Sequence, residues 1–301
     1  MQRMGHAAAG MALALIASSP AIAQLQKIEW KQTVNQPKGQ NMPQGVTADI
    51  LGIEAGDGYA GAKAKLEKLK NEGFRQPQRQ MSDAQRAAAE VMGSHNPDPV
   101  LQESTMMFNL RPPGAGSLML QGSYVGQVLL RRELPGSTRQ NITEVITVKF
   151  SAPSSGQQVL GVQRQISYPT PGDQPKISDI LASLKAKFKT DFYQASAINN
   201  IYRAQFDGGR SIVPKGDLSM ACQPQYDVRD QASAQNINRS GQCDVLMQVA
   251  FNKGISPDHA SSVIFTLSDN ERAKTDLAAD FAYLDSYLKT LQSSGGAAPK
   301  L

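Results

Sequence analysis

The sequence predicts an α+β fold of two tandem units, each with helices packed on an antiparallel sheet, followed by a C-terminal amphipathic helix. A helical pattern followed by several strand-like runs occurs twice along the 301 residues. Apolar and polar residues alternate over 146–150, which is typical of a sheet with one buried face and one wet face. We place the units at 48–168 and 174–292, joined by a short, stiff linker at 169–173.

The first unit begins with a helix at 59–71, where apolar residues recur at helical spacing. A short second helix is predicted at 83–92, because Ser82 and Gln85 fit a capping box. Because a sheet must bury its apolar face, we expect these helices to pack on the strands that follow. Those strands are predicted at 103–110, 117–130, 142–150 and 159–168.

The second unit repeats this order, with a helix at 178–189 and strands at 200–206, 243–251 and 262–267. A final helix begins at the capping box Ser268–Glu271. We expect its apolar stripe to pack on the second unit's sheet, and a seam for a partner or a second copy is the alternative interpretation. The stripe consists of Leu277, Phe281, Leu284, Leu288 and Leu291.

The first 23 residues have the pattern of a signal peptide. Arg3 precedes the apolar run 7–17, and Ala21 and Ala23 form the small-x-small site that signal peptidase cleaves. The run is too short to span a bilayer, and no later run reaches a transmembrane length. We therefore expect an exported protein in the bacterial periplasm, with secretion from a eukaryotic cell as the alternative.

Two cysteines support the prediction that the protein is exported. Cys222 and Cys243 lie in the predicted mature chain, and an even number of cysteines in an exported protein predicts a disulfide. Their spacing is not the C-x-x-C pattern of a redox or zinc site. We therefore expect the two residues to be bonded.

The mature chain starts and ends in polar segments. We expect 24–47 to be an extended or disordered lead-in, in which Ile28 and Trp30 are the sizeable hydrophobic anchors. Trp30 is interpreted as pinning the lead-in to the domain surface, or alternatively as presented to a ligand. The tail at 293–301 is predicted to be disordered.

The chain holds no motif that assigns an enzyme site. Gly56–Gly61 matches G-x-G-x-x-G but is not followed by the second strand and acidic residue of a dinucleotide site, so we interpret it as a tight turn. His95 and His259 lie far apart in polar surroundings without zinc-site spacing. We assign no catalytic, cofactor-binding or metal-binding residue and expect no cofactor.

The charge of the chain excludes little. The net charge is +5, and the densest basic stretch, 63–79, is interrupted by Glu67 and Glu72. This pattern is typical of a solvated helix face, so we do not expect nucleic-acid binding. Contact with an anionic membrane or polymer surface remains an open alternative.

The run Asp49–Gly56 followed by Ala62, Leu66 and Leu69 resembles the opening of exported bacterial proteins of unknown function. These are built from tandem helix-plus-antiparallel-sheet units, similar to the β-lactamase-inhibitor-protein-like fold. The resemblance covers about 48–292 and implies binding to other proteins. The chain lacks the acylated cysteine of the lipoprotein members, and no ligand residue of the family carries over.

We therefore expect a non-enzymatic, exported binding protein that contacts an unknown envelope protein or polymer. The alternative is a hydrolase or a carbohydrate-active accessory protein with a site between the two units. The sequence assigns no oligomeric state. The residues of the candidate interaction surface are Trp30, Leu277, Phe281, Leu284 and Leu288.

Overall fold

A computed structural model describes residues 25–39, 41–72, 99–110, 119–137, 140–213, 222–226 and 243–293. The predicted signal peptide and the predicted helix at 83–92 lie outside these ranges, as does almost all of the predicted tail. Within the ranges, three helices accompany a large antiparallel sheet, so the predicted α+β fold class is confirmed.

The helices are α1 (Tyr59–Asn71), α2 (Ile177–Phe188) and α3 (Asn270–Ser293). The strands are β1 (Leu25–Lys27), β2 (Asp49–Ile50), β3 (Ile53–Glu54), β4 (Val100–Leu110), β5 (Met119–Leu134), β6 (Ile142–Phe150), β7 (Val159–Ser167), β8 (Tyr193–Ser196), β9 (Ile201–Asp207), β10 (Arg210–Ile212), β11 (Val245–Lys253) and β12 (Ala260–Asp269).

Ten of the described strands form one sheet with the order β1-β5-β6-β7-β12-β11-β9-β10, where β4 also pairs with β5 and β8 with β9. All of these pairs are antiparallel except the parallel pair of β1 and β5. The strands that follow α1 occupy one half of the sheet, and those that follow α2 occupy the other. The halves meet where β7 pairs with β12, in a register that sets Val162 opposite Leu267.

One face of the sheet carries the main core. Along β6, Ile146, Val148 and Phe150 are buried, whereas Thr147 and Lys149 are partly exposed, as the alternation predicts. The buried face is covered by apolar side chains of α1, of α2 and of the segment before α1. They include Met42, Val46, Ile53, Ala62, Leu66 and Phe188.

A buried ion cluster interrupts this core. Glu144 on β6 is fully buried and accepts hydrogen bonds from Arg132 on β5 and from Arg164 on β7. Arg132 also donates to the carbonyl oxygen of Leu69 at 2.5 Å, near the C-terminal end of α1 where such oxygens lack helical partners. The cluster therefore joins the sheet to α1.

The helix ends follow local chemistry. Lys189 follows α2 with a φ of 51°, and this left-handed residue ends the helix. At the start of α3, the Asp269 carboxylate accepts a hydrogen bond from the Arg272 backbone N–H at 2.9 Å, which is the geometry of an N-cap. The predicted cap at Ser268 is thus displaced by one residue, because the Ser268 hydroxyl donates to Asn270 Oδ1 and does not accept from a backbone N–H of the first turn.

Candidate functional site

The lead-in lies on the folded body. Ile28 is 3% exposed and forms a cluster with Ala152 and Leu284, while Met42 and Val46 join the main core. Between these anchors, the Thr33 backbone N–H donates to the Ser154 carbonyl oxygen at 2.7 Å. The sequence interpretation named Ile28 and Trp30 as the anchors of this segment, and it did not predict the contacts of Met42 and Val46 at its other end.

Partly exposed aromatic and aliphatic side chains surround this Ile28 cluster. Trp30 stacks on Tyr283 with ring centroids 5.8 Å apart and contacts Tyr124 edge to face at 6.0 Å. Tyr283 stacks in turn on Tyr287 at 6.4 Å. We call this group the aromatic surface, and its members are Trp30, Tyr124, Phe281, Tyr283, Tyr287 and Leu288.

Local geometry explains how the aromatic surface forms. Tyr283 and Tyr287 are four residues apart on α3 and therefore lie on one helix face. The Trp30 indole donates to the Ser123 carbonyl oxygen at 3.2 Å, and the Tyr283 hydroxyl donates to the carbonyl oxygen of Glu29. A Cβ atom at Gly122 would lie only 2.8 Å from Trp30, so this glycine allows the indole to approach β5.

Beneath the aromatic surface, α3 presents buried carboxylates to the turn between β6 and β7. Asp280 accepts hydrogen bonds from the hydroxyls of Ser154 at 2.5 Å and Ser155 at 2.9 Å, and from the Ala152 backbone N–H at 3.1 Å. Asp276, one turn earlier, accepts a hydrogen bond from Gln36 of the lead-in at 2.6 Å. These contacts fasten α3 to the turn and to the lead-in.

Arg272 completes this buried polar cluster. The Arg272 side chain is buried. Its guanidinium donates to Gln158 Oε1 at 2.6 Å, to the Pro37 carbonyl oxygen at 2.7 Å and to the Gln36 carbonyl oxygen at 3.3 Å. The same guanidinium donates to the carboxylate of Asp269 at 3.1 Å. Arg272 therefore ties the lead-in to the start of α3.

The glycine motif has a structural role in this cluster. Gly56 has a φ of +87°, and a Cβ atom there would lie 2.8 Å from the Arg272 guanidinium carbon. The next residue, Asp57, is bonded to Lys38 of the lead-in and, at 2.6 Å, to Lys65 of α1. The motif thus forms a turn that receives Arg272 and anchors two cations, in agreement with its interpretation as a tight turn.

Burial dominates the titration of the acids on α3. It raises the pKa of Asp276 to about 7, and Asp280 adds to this rise as a neighbouring negative charge. Burial also raises the pKa of Asp280, against the opposing hydrogen bonds from Ser154 and Ser155. For Asp57, burial is outweighed by the hydrogen bonds from Lys38 and Lys65, so its pKa is lowered.

The structure brings together most residues of the candidate interaction surface. Trp30, Phe281, Leu284 and Leu288 belong to one cluster, and Leu277 is buried separately on α3. The stripe differs from its prediction, since Phe281, Leu284 and Leu288 cluster with Ile28 and Ala152, which both precede the predicted second unit, while the side chain of Leu291 lies outside the described residues. Sequence reasoning also missed the tyrosines at 124, 283 and 287, although the spacing of the last two indicates a shared face.

The predicted disulfide between Cys222 and Cys243 is present, with Cα atoms 5.9 Å apart. It is buried and packs against Leu246 of β11. The side-chain amide of Asn270, the first residue of α3, donates to Cys222 Sγ at 2.9 Å. The bond is therefore attached to the start of α3 as well as to the sheet.

Two further features bear on the alternative prediction of a hydrolase. A groove of about 320 Å³ beside α2 is lined, among the described residues, by Asp179, Ile180, Ser183, Leu184, Lys187 and Phe265. The ammonium of Lys187 is already bonded to the Asp49 carboxylate at 2.9 Å. His259 lies in the turn between β11 and β12, and His95 lies outside the described ranges. The hydrolase alternative stays a prediction.

Within the described ranges, none of the helices combines the length and the hydropathy needed to cross a membrane. Nor do three or more histidine, cysteine, aspartate or glutamate side chains of that part of the chain converge as metal ligands. Comparisons of the chain with protein-family models, with curated proteins and with solved structures give no match.

Proposed function

We propose that this chain is an exported, non-enzymatic binding protein of the periplasm, which contacts a partner protein of the cell envelope through the aromatic surface. The observation that supports the proposal is the stacking of Trp30 on Tyr283, with Tyr287 beside them, at a partly exposed position. Tryptophan and tyrosine are enriched in protein interfaces, because they bury large apolar areas and keep a polar tip.

The arrangement of the rings favours a protein over a glycan as the partner. Trp30 and Tyr283 lie at 23° to each other, so each ring uses one face on its neighbour. A sugar ring packs on an open aromatic face, and this pair has given up part of that area. A protein partner can instead pack its side chains around ring edges and hydroxyl groups.

Export is supported by the disulfide. A buried bond between Cys222 and Cys243 is typical of oxidising compartments, and it agrees with the apolar leader and the small-x-small site at 21–23. We therefore include cleavage of the leader and location in the periplasm in the proposal, with secretion as the alternative.

We further propose that 48–168 and 174–292 are tandem units. The sheet order supports this proposal, because four strands follow α1 in one half and the strands that follow α2 build the other half. The final strands of the two halves, β7 and β12, pair with each other. Superposition of the Cα atoms of the two halves tests this proposal, and a different strand order or helix placement in the two halves would contradict it.

Site-specific photo-crosslinking in living cells tests the binding function. A benzoylphenylalanine at position 287 would lie on the aromatic surface, beside Tyr283. The matched control is position 285, whose side chain is 62% exposed on the same helix and is paired with Lys289. We expect one discrete adduct with another protein from position 287 and none from position 285.

The identity of the adduct, found by mass spectrometry, would name the partner. No adduct from position 287, or the same adducts from both positions, would contradict a specific contact at the aromatic surface. Membrane or polymer contact is the outcome if position 287 reacts only with lipid or glycan.

A further inference from the structure

The contact between the lead-in and α3 contains more buried acids than buried cations. Asp269, Asp276 and Asp280 are at most 5% exposed, and Arg272 on the same helix is 1% exposed. If all four groups were ionised, the cluster would carry two uncompensated negative charges. A buried charge without a partner is strongly disfavoured, so burial raises the pKa of all three carboxyls and favours their protonated forms.

Asp276 is the acid with the weakest compensation. The hydrogen bonds of the Arg272 guanidinium go to Asp269, to Gln158 and to carbonyl oxygens of the lead-in. One oxygen of Asp276 accepts from Gln36 at 2.6 Å, and the Ser151 hydroxyl is the other hydrogen-bonding group beside this carboxyl.

The other groups around Asp276, as far as the described ranges go, supply no spare positive charge. Asp280 faces it from the same helix and is itself acidic, while Ser151 faces it from the turn after β6 and is neutral. In the lead-in, Gln36 is neutral and the nearby cation Lys38 is paired with Asp57. A negative charge on Asp276 would therefore be opposed by burial and by Asp280, and offset by the hydrogen bonds from Gln36 and Ser151 and by the charge of Arg272.

We propose that Asp276 is a pH-sensitive latch, whose protonated form holds the lead-in on α3 and whose ionised form loosens it. Its consequence for partner capture rests on the proposed function, because Trp30 comes from the lead-in and Tyr283 and Tyr287 come from α3. The aromatic surface is complete only while the two segments are joined. Loosening would separate Trp30 from the tyrosines.

The direction of the effect follows from linkage. Burial raises the pKa of Asp276 to about 7 in the joined state, from an ordinary value of 3.8. The joined state then binds the proton more tightly, so the latch is strongest below the ordinary value. It weakens as the pH rises to about 7 and changes little above that.

Trp30 provides a direct readout because it is the single tryptophan of the chain. Its emission during urea titration reports release of the lead-in, and far-UV circular dichroism reports global unfolding. We expect the midpoint of the Trp30 transition to be lower at about pH 8 than at about pH 5. This drop in the Trp30 midpoint should exceed any drop in the midpoint of global unfolding that circular dichroism reports.

Variants identify the group responsible. Asp276→Asn keeps an acceptor for Gln36 but cannot ionise, so the drop of the Trp30 midpoint should become clearly smaller than in the wild type. Asp285→Asn, on the exposed side of α3, should behave as the wild type. If Asp276→Asn does not fold, Asp280→Asn decides, because removal of the like charge should make the drop smaller.

Equal wild-type midpoints at the two pH values would overturn the latch, and so would a drop of undiminished size in Asp276→Asn or in Asp280→Asn. The measurement needs no partner, so it is independent of the crosslinking test. An adduct at position 287 together with a constant Trp30 midpoint would reject the latch and leave the binding function in place. A pH-dependent Trp30 midpoint without an adduct at position 287 would reject the binding function and leave the latch in place.

Discussion

Trp30 stacks on Tyr283 with an interplanar angle of 23° and ring centroids 5.8 Å apart. The first residue comes from the lead-in and the second from the C-terminal helix, so the pair joins the two ends of the described chain. Neither segment alone presents this arrangement of rings. The aromatic surface therefore depends on correct docking of the lead-in against α3.

Packing of α3 should depend on Leu284, which is 1% exposed and contacts Ile28 and Ala152 in one cluster. We expect Leu284→Ala to lower the free energy of unfolding by about 2 to 5 kcal/mol, because it leaves a cavity in this cluster. Urea unfolding followed by circular dichroism measures the loss. The control Asp285→Ala, at an exposed position, should change stability by less than about 0.5 kcal/mol.

Gly56 should resist substitution because Arg272 packs against it. Gly56→Ala forces alanine into a φ of +87° and places its Cβ 2.8 Å from the guanidinium carbon. Positive φ alone costs about 1 to 3 kcal/mol. Gly52 has a φ of +74° and no atom within 4 Å of such a Cβ, so Gly52→Ala measures the backbone cost alone. Equal thermal denaturation of the two variants would contradict the contact with Arg272.

Removal of the disulfide should destabilise the second half of the fold. We expect Cys222→Ser to lower the free energy of unfolding by about 2 to 5 kcal/mol, because the bond restricts the unfolded chain and is buried beside Leu246. The double variant with Cys243→Ser has no unpaired thiol and should lose a similar amount. Labelling of both cysteines in denatured, unreduced wild-type protein would show that the bond is absent.

Asp57 should make the protein sensitive to acid. Its pKa is lowered, since the hydrogen bonds from Lys38 and Lys65 outweigh burial. The stability that it contributes is therefore present above the ordinary carboxyl pKa of about 3.9 and is lost as the pH falls through the lowered value. Asp57→Asn should cost about 1 to 3 kcal/mol near neutral pH and less in acid.

Urea unfolding at a series of pH values measures this difference for Asp57→Asn. Glu67→Gln is the matched control, because Glu67 is 43% exposed and pairs with Lys70 at 3.5 Å on the surface of α1. A loss of stability in Asp57→Asn that is constant with pH would show that the two lysines do not stabilise the charge.

Local periodicity predicted the regular elements well. The bounds predicted for α1 and for the β6 strand agree with the structure residue for residue, and α2 differs by one residue at each end. These elements have repeating apolar positions and clear stop signals, so their pattern is visible within a short window of sequence. Shorter strands such as β8 and β10 were missed because they have too few residues to show a period.

Docking of the lead-in was beyond the reach of such patterns. Gln36 and Asp276 are 240 residues apart, and neither residue type is normally interpreted as a core contact. The polar composition of the lead-in indicated an extended or disordered segment, yet the Gln36 amide donates to Asp276 and the carbonyl oxygens of Gln36 and Pro37 accept from the Arg272 guanidinium. The partner of the α3 stripe was missed for the same reason.

The central claim is that Trp30 and the tyrosines of α3 form one surface for a partner protein. It is tested most directly by repeating the crosslinking from position 287 in a Trp30→Ala background, with far-UV circular dichroism as the control for folding. We expect the adduct seen in the wild-type background to be lost while the fold is retained. An adduct of unchanged yield in a folded Trp30→Ala protein would contradict the claim.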